Sequence, residues 1–454
     1  MAAQQPLSVQ QNLTIRLLRV LRYNKARIER ALTLMPEKHR PLFHVLPFLV
    51  HVNHEALPGY VAPLTSSETV PFGINNYSFR PDVEQALQRC FPAQSHLFSD
   101  IKQIWPRQRA VDALVLMGSV GTIAQTDDSD FDFWVCIDGK RFSTTELTLL
   151  QQKLTAIEKW ADNTFGIEVH FFLSEIDKVK QNDFGVAEGE SAGSAQALFL
   201  KAEFYNTNIV VAGKAPFWWL TPEKTTEKQY QAIYNSLEKG GSPDVDWFMD
   251  LGHLERLDAS ELFGAAIWQL GKAMDSPFKS VLKMAKLEVY LANISHGQPL
   301  CNLLKKHVHR GAEAPGHVAD IDPYALMFDE LIAHYKANGQ AEDIAVLQQC
   351  LYLKCGCTLS HPLVEGEQAN FKRKIMASYA KQWGWSRKLL AHLDNQQDWT
   401  FNERVQLSRR IHRFLLKCYR RISKEISHHQ QVMDQKDMTV LGRRLSTYYA
   451  KKPD

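Results

Sequence analysis

The sequence predicts an α+β fold, with a small mixed β-sheet core, N-terminal helices and a large C-terminal all-helical region. Short apolar runs rich in valine and aromatic residues lie in the middle of the chain, and apolar residues recur at intervals of three and four on both sides of it. We therefore divide the chain into an N-terminal helical segment (1–59), an α/β domain that would carry the active site (60–220) and a helical domain (221–454).

The N-terminal segment is predicted to be helical. From Val9 to Leu34 apolar residues recur at helical spacing with Arg and Lys between them, and Pro36 interrupts the pattern. A second apolar stretch runs from Pro41 to Val52. Pro, Gly, Ser and Asn are then frequent from residue 58 to Pro81, which is typical of a long loop.

The sheet is predicted from four segments with strand character. They are Ala113 to Met117, Phe131 to Ile137, Gly166 to Leu173 and Asn208 to Val211. The first two runs could pair with each other. Between the second and third segments, Ser143 and Glu146 have the spacing of a capping box, which predicts a helix from there to about Trp160.

Beyond residue 220 the signals are helical. Asp258 to Glu261 resembles a capping box before a helix that ends near Met274, and Ser276 followed by Pro277 indicates another helix start. Four further segments carry apolar residues at helical spacing: Leu326 to Tyr335, Ile344 to Leu353, Phe371 to Trp383 and Val405 to Ile426.

The composition argues against several classes of function. The 53 basic and 50 acidic residues give a net charge of only +3, so we expect no nucleic-acid partner. The most apolar early stretch, Leu42 to Val52, is too short to cross a bilayer, so we expect no membrane span. Seven scattered cysteines and no export signal at the N-terminus favour the cytoplasm.

A phosphate and metal site is predicted at the ends of the first two strands. Gly118 ends the first apolar run, so the backbone can approach a phosphate closely, and the hydroxyl and amide of Ser119 can donate to it. Asp130 and Asp132 open the next strand one residue apart, and period-two geometry turns both carboxylates to the same side. Two carboxylates in that arrangement favour a Mg²⁺ site.

Glu168 is the candidate for a third acid. It alternates with apolar residues in a later strand, where it could complete a two-ion site or take the proton from an attacking hydroxyl. The alternative is a glutamate at a strand edge that faces solvent.

Two lysines are candidates for phosphate contacts from the helical half. The helix that starts at Ser276-Pro277 has Lys279 in its first turn and Lys283 one turn later on the same face. The free amides and the positive end of the helix dipole would add to the two ammonium groups, which together favour a triphosphate. The alternative is a solvated lysine stripe.

These residues carry a resemblance to a known family. Gly118-Ser119 with Asp130 and Asp132 resembles the signature of the polymerase-β-like nucleotidyltransferase superfamily. Longer segments resemble bacterial class I adenylate cyclases, namely 129–136, 166–173, 202–205 and 275–283. The resemblance covers most of the chain. Members of that family usually continue into a long C-terminal regulatory region, so we expect this chain to be a catalytic portion, and regulatory protein partners only where such a region is present.

The resemblance implies conversion of ATP to 3′,5′-cyclic AMP and pyrophosphate, with the ribose 3′ oxygen attacking the α-phosphorus. It implies that Asp130 and Asp132 hold Mg²⁺, with Mn²⁺ also open and two ions expected. It further implies that Glu168 assists an ion or the 3′ hydroxyl and that Gly118-Ser119 hold the departing phosphates.

Two further residues have weaker support. Trp134 could pack near the nucleotide or serve the core. Ser194 follows a polar loop and, as similar segments of the family suggest, could open a helix toward phosphate, although a plain N-cap explains it too.

Other functions stay open on the residues alone. The same metal site could transfer a nucleoside monophosphate to an RNA, a small molecule or a protein, and a non-catalytic helical interaction protein is a third possibility. The basic segment 409–424 could bind nucleic acid or acidic lipid, but a solvated helix face is the simpler interpretation. Cys350, Cys355 and Cys357 lack the further ligands of a zinc site and are expected to be core thiols.

Overall fold

The computed structural model describes residues 9–63, 69–184, 197–257, 259–294, 299–310, 321–363 and 370–428. The helices before the sheet are α1 (Val9–Leu34), α2 (Arg40–His51), α3 (Pro81–Cys90) and α4 (Ser95–Ser99). The middle of the chain forms β1 (Ala113–Met117), β2 (Phe131–Ile137), α5 (Thr144–Phe165), β3 (Val169–Glu175), α6 (Ile176–Lys180), α7 (Ala197–Thr207) and β4 (Ile209–Gly213).

The rest of the chain is mainly helical. It contains a two-stranded parallel pair, β5 (Ala215–Pro216) and β6 (Phe248–Met249), with α8 (Glu227–Glu238) between them in sequence. The helices that follow are α9 (Ala259–Lys272), α10 (Pro277–Ala292), α11 (Leu300–Arg310), α12 (Pro323–Ala337), α13 (Ala341–Cys355), α14 (Phe371–Gln382), α15 (Arg387–Asp394) and α16 (Phe401–His428). The predicted α+β class is therefore confirmed.

Local signals in the sequence set several boundaries. The Ser143 hydroxyl accepts from the Glu146 amide and the Glu146 carboxylate accepts from the Ser143 amide, so the predicted capping box is present at the start of α5. The helix continues past Trp160, its predicted end, because the first residue that adopts a left-handed conformation is Gly166, with φ of 64°. Helices α3, α4, α6, α8, α11 and α15 are not predicted from the sequence.

The four-stranded sheet has the order β3-β2-β1-β4 and is mixed, as predicted. β1 is antiparallel to both β2 and β4, and β2 is parallel to β3. In this register Asp132 lies opposite Met117 on one side and His170 on the other. The start of β2 therefore lies beside the end of β1.

The two faces of the sheet are buried against different layers. One face contributes Leu114, Leu116 and Phe133 to a core shared with α2 and α5. The other contributes Val115 and Trp134 to a core shared with α7 and the N-terminal half of α1. Because side chains alternate along a strand, Asp130 and Asp132 belong to the same face as Trp134, at its open end.

The helical region forms a third core from α9 to α16, which also buries Cys350, Cys355 and Cys357 as free thiols. Ile123 and Ala124, from the loop between β1 and β2, are part of this core. Apolar cores thus extend across both proposed boundaries, 59/60 and 220/221, and the division of the chain into 1–59, 60–220 and 221–454 stays a prediction.

At the β4 edge of the sheet, a side chain of α1 makes hydrogen bonds to the strand backbone. The Asn24 amide donates to the Val210 carbonyl and its oxygen accepts from the Val210 amide, both at 2.8 Å. Val210 lies in β4, whose other side pairs with β1. Asn24 therefore makes the two hydrogen bonds that a neighbouring strand would make.

Within the described ranges, no helix has the length and apolar character that crossing a membrane requires.

Candidate functional site

Gly118 forms the turn at the end of β1. Its φ of 104° lies in the region that favours glycine, and a Cβ atom there would come within 3.9 Å of Asp132 Oδ2. Its amide is already engaged, since it donates to the Thr207 hydroxyl at 3.1 Å. The turn therefore leaves space beside Asp132, while α7 holds its backbone in place.

The side chain of Ser119 is hydrogen-bonded to Ser129, at the other end of the loop that follows it. Its hydroxyl lies 3.0 Å from the Ser129 hydroxyl, and its side chain and backbone together are only 8% exposed. Ser129 also accepts from the Thr126 amide at 2.9 Å. The hydroxyl proposed to bind phosphate is thus held in one orientation by its own loop.

Asp130 and Asp132 are half-buried at the open end of the sheet. Across the described part of the chain, no three His, Cys, Asp or Glu side chains converge as a complete metal site. Proteins usually hold Mg²⁺ through one or two carboxylates together with waters and substrate phosphates. The aspartate pair therefore fits an ion that arrives with a nucleotide.

Glu168 lies beside the aspartates but faces outward. Its carbonyl accepts from the Phe131 amide at 2.9 Å, which puts it next to Asp130 in the strand register. Its side chain is 76% exposed and lies 3.8 Å from the His170 ring nitrogen. This position agrees with the alternative of a solvent-facing edge residue, and the ligand role of Glu168 stays a prediction.

Trp134 is part of the core. The residue is 3% exposed, and its ring stacks on Phe204 of α7 with centroids 4.3 Å apart. The buried ring has little surface left for a nucleotide. This position agrees with the alternative that Trp134 serves the core. Ser194, the other weak candidate, lies outside the described residues.

Lys279 and Lys283 lie on α10, which begins at Pro277 as expected, although the Ser276 side chain makes no capping hydrogen bond. Lys283 is 27% exposed at its side chain, and its amine lies 4.0 Å from a carboxylate oxygen of Glu203 on α7. Glu203 also contacts Lys286, one turn further along α10. No local sequence pattern identifies Glu203 or Lys286, because their contact joins positions far apart in the chain.

The charges in this group are coupled. Burial lowers the pKa of Lys283, against the opposing effects of Glu203 and Asp132. Burial would raise the pKa of Glu203, but Lys286 and Lys283 outweigh it and hold that pKa below its ordinary value. Glu203 is therefore ionised and neutralises Lys286, and Lys283 remains in the electrostatic field of Asp132.

Lys354 of α13 is a further lysine at this site that the residue patterns did not identify as such. Its amine donates to the Ala124 carbonyl at 3.0 Å. Burial lowers its pKa and nearby Lys279 lowers it further, whereas Asp130 raises it. Lys354, Lys279 and Asp130 are thus within electrostatic range of one another although they come from three distant parts of the sequence.

A cavity of about 460 Å³ lies at the opposite end of the sheet, and we call it the far cavity. Its lining includes Asp112 and Asp250, which are both buried. Lys214 lies 2.9 Å from Asp112 and Lys180 lies 2.6 Å from Asp250. This cavity does not include Asp130 or Asp132, and its buried acids are already paired.

The basic segment 409–424 lies on α16. Arg421 contacts Glu288 at 2.6 Å and Asp343 at 3.2 Å, and Lys417 lies 3.5 Å from Asp343. The apolar side of the same helix belongs to the helical core. Part of the basic charge therefore serves contacts within the helical region.

Two family models match the chain in succession. The first, described as the adenylate cyclase NT domain, matches residues 12–219, and the second, described as the class-I adenylate cyclase second domain, matches residues 257–454. The chain belongs to the class I adenylate cyclase family.

Curated relatives agree with this membership. The chain is 31% identical over 437 residues to an adenylate cyclase of Proteus mirabilis, covering 95% of this chain and 48% of that protein. It is 30% identical over 439 residues to an adenylate cyclase of Escherichia coli K12, covering 95% of this chain and 49% of that protein. The chain thus spans about half the length of the curated relatives it matches. No solved structure matches it.

Proposed function

We propose that this chain carries the catalytic site of a class I adenylate cyclase, which converts ATP to 3′,5′-cyclic AMP and pyrophosphate. The main support is that the aspartate pair and two lysines, Lys279 and Lys354, gather at one end of the sheet, where Asp130 lies within electrostatic range of Lys354. Neither of these two lysines has a carboxylate within ion-pair distance among the residues described. Positive charge left over in this way favours a polyphosphate ligand.

Asp130 and Asp132 are proposed to hold Mg²⁺ or Mn²⁺, with two ions in the working site. The ion would neutralise phosphate charge and polarise the phosphorus–oxygen bonds of the substrate. Gly118 would let the phosphates approach the backbone, because it has no side chain between them and Asp132. Because the Ser119 hydroxyl is already held by Ser129, it would not have to reorient when the substrate binds.

In the proposed reaction, the ribose 3′ oxygen forms a bond to the α-phosphorus while the bond from that phosphorus to the bridging oxygen of pyrophosphate breaks. Lys279 and Lys283 would balance the charge that grows on the departing pyrophosphate. The proton of the 3′ hydroxyl needs an acceptor, and Glu168 is proposed for this role because it is next to Asp130 in the register and accessible.

We also propose that the protein works in the cytoplasm, which is supported by seven cysteines that are all unpaired. Any regulation by partner proteins would belong to the longer architecture of the relatives, of which this chain matches about half.

The test is to incubate the purified chain with ATP and Mg²⁺, with no added acceptor, and to separate the products. We expect cyclic AMP and pyrophosphate in equal amounts. Unchanged ATP, or labelled nucleotide attached to added RNA or protein, would contradict the cyclase and, in the second case, would favour nucleotidyl transfer to an external acceptor.

A further inference from the structure

The loop 119–129, which we call the active-site loop, joins Gly118 to Asp130 and is held by the helical region. Three charged side chains from that region contact its backbone. The Ile123 amide donates to Asp322 at 3.0 Å, Lys354 donates to the Ala124 carbonyl at 3.0 Å, and Lys372 donates to the Gln125 carbonyl at 2.6 Å. Three consecutive residues of the loop are thus each bound by a different element.

Asp322 connects the loop to the start of α12. One of its carboxylate oxygens accepts from the Ile123 amide, and the other accepts from the amides of Tyr324 and Ala325, both at 2.9 Å. The residue is 1% exposed. A buried carboxylate shared between a helix N-terminus and a loop amide holds both at a fixed separation.

Lys372 connects the loop to the end of α13. Besides the Gln125 carbonyl, its amine donates to the Cys355 carbonyl at 2.7 Å. Cys355 follows Lys354, so the two lysines bind neighbouring loop residues from adjacent positions in the helical region. Hydrogen bonds from charged donors are about twice as strong as neutral ones.

The apolar contacts follow the same pattern. Ile123 and Ala124 are fully buried and belong to the helical core, although the chain reaches them directly from the sheet. The middle of the active-site loop is therefore packed in the helical core, whereas Val120 before it and Phe131 after it belong to the core that the sheet shares with α2 and α5. A shift of α12, α13 or α14 would be passed to the loop ends through these contacts.

We propose that Asp322 and Lys372, together with Lys354, are positioning residues through which the helical region sets the geometry of the catalytic acids. The inference rests on the proposed function, because it assigns Asp130 to the site that the loop serves. A displacement of about 1 Å in a catalytic group can cost about a hundredfold in rate, so a loop fixed at three successive residues is suited to this task.

The test compares Lys372→Met with Lys374→Met, a matched control two residues along α14 whose side chain is exposed. We expect Lys372→Met to lower kcat about 10- to 100-fold and to raise the Mg²⁺ concentration for half-maximal activity, with KM for ATP at saturating Mg²⁺ nearly unchanged. Lys372→Arg should recover part of kcat, because the guanidinium can still donate to the carbonyls. A purely structural lysine would lower the melting temperature without this separation of kcat from KM.

Amide hydrogen exchange of the full chain gives a readout that does not depend on activity. We expect peptides covering the active-site loop to exchange about tenfold faster in Lys372→Met, and peptides of α5 to be unchanged. Loop exchange and kcat equal to those of Lys374→Met would overturn the inference. If the wild-type chain makes no cyclic AMP, the proposed function fails, whereas faster loop exchange in Lys372→Met would still support the contact between the two regions.

Discussion

The two ends of the sheet contain the same kinds of residue in different arrangements. In the far cavity, Asp112 is paired with Lys214 and Asp250 with Lys180, so each buried charge has a partner. At the other end, Asp130 and Asp132 lie near Lys279 and Lys354, and in the described residues those two lysines contact no carboxylate directly.

The difference separates charge pairs that stabilise the fold from the charges of the proposed site, where two lysines have no carboxylate at contact distance among the described residues. Pairs at contact distance compensate each other's desolvation and leave little field outside. Lysines that lack a carboxylate at contact distance leave a positive field that a polyphosphate can satisfy. A cavity alone is therefore a poor guide in this molecule, because the cavity of about 460 Å³ lies at the end whose acids are already paired.

The strongest test of this contrast exchanges one acid at each end. Asp130→Asn or Asp132→Asn should lower kcat by about a thousandfold or more, because a metal ligand contributes several kcal/mol to the transition state. Asp138→Asn, at the far cavity, should leave kcat within about twofold, since the new amide can still accept from the Lys140 amide. The check is cyclic AMP production at matched melting temperature. Equal losses at both ends would remove the distinction.

A buried lysine of α5 tests whether a lysine that contacts no carboxylate among the described residues must belong to a ligand-binding site. Lys153 is fully buried in α5 and, within the part of the chain that the structure describes, donates only to the carbonyls of Val52 and Gly59. Burial lowers its pKa to about 7, below that of the unfolded chain. Between about pH 7 and about pH 10, Lys153 is therefore protonated in the unfolded chain and neutral in the folded chain. Because the unfolded state binds the additional proton, the free energy of unfolding rises with pH in this range.

Lys153→Met should remove this dependence. Relative to the variant, the wild-type protein should gain about 1.4 kcal/mol of unfolding free energy for each pH unit between 7 and 9.5, and the difference should be constant below pH 6. Urea unfolding at several pH values measures it, with the exposed Lys159→Met on the same helix as control. Parallel curves for wild type and Lys153→Met would contradict it, and an altered KM for ATP would mean that Lys153 belongs to the site.

A smaller effect is expected when a pair in the far cavity is broken. Among the described residues, Lys214→Met leaves the buried Asp112 with Asn75 as its one remaining side-chain partner. The substitution should lower the free energy of unfolding by about 2 kcal/mol, less than for a fully buried pair because Lys214 is partly exposed. Chemical unfolding measures the loss, and kcat should be unchanged. The exposed Lys224→Met should change neither quantity, and a large fall in kcat for Lys214→Met would show that the far cavity takes part in catalysis.

The smallest effect is expected at Lys279. Lys279→Met should raise KM for ATP about tenfold, equivalent to about 1.4 kcal/mol, because one charge-assisted contact to phosphate is lost. Stability should be unchanged or slightly higher, since the removed charge lies close to Lys354. Initial rates over a range of ATP concentrations check this, and an unaltered KM would place Lys279 in the solvated stripe that the sequence also allowed.

Local patterns in the sequence predicted the framework of the site well. Strand alternation put Asp130 and Asp132 on one side of β2, and β1 ends before Gly118 as predicted, with the glycine at a positive φ. Helical spacing correctly placed Lys279 and Lys283 on one helix. Each of these features depends on residues close together in the chain.

The remaining features depend on which elements pack together, which no local pattern contains. Lys354 contacts a carbonyl 230 positions away, and Lys286 contacts Glu203 from 83 positions away. Strand alternation placed Glu168 on the same face as His170, but it could not show that β3 is one of the two edge strands, where the Glu168 side chain is exposed. Burial of Trp134 is likewise decided by α7 packing on the sheet.

The hydrogen bonds of Asn24 have a consequence for how copies of this protein behave at high concentration. β4 is an outer strand, and an outer strand with free backbone groups invites the corresponding strand of another molecule to join it. By engaging both backbone groups of Val210, the side chain of Asn24 removes one point at which such intermolecular growth could start. A single amide on the first helix thus contributes to colloidal stability as well as to the fold.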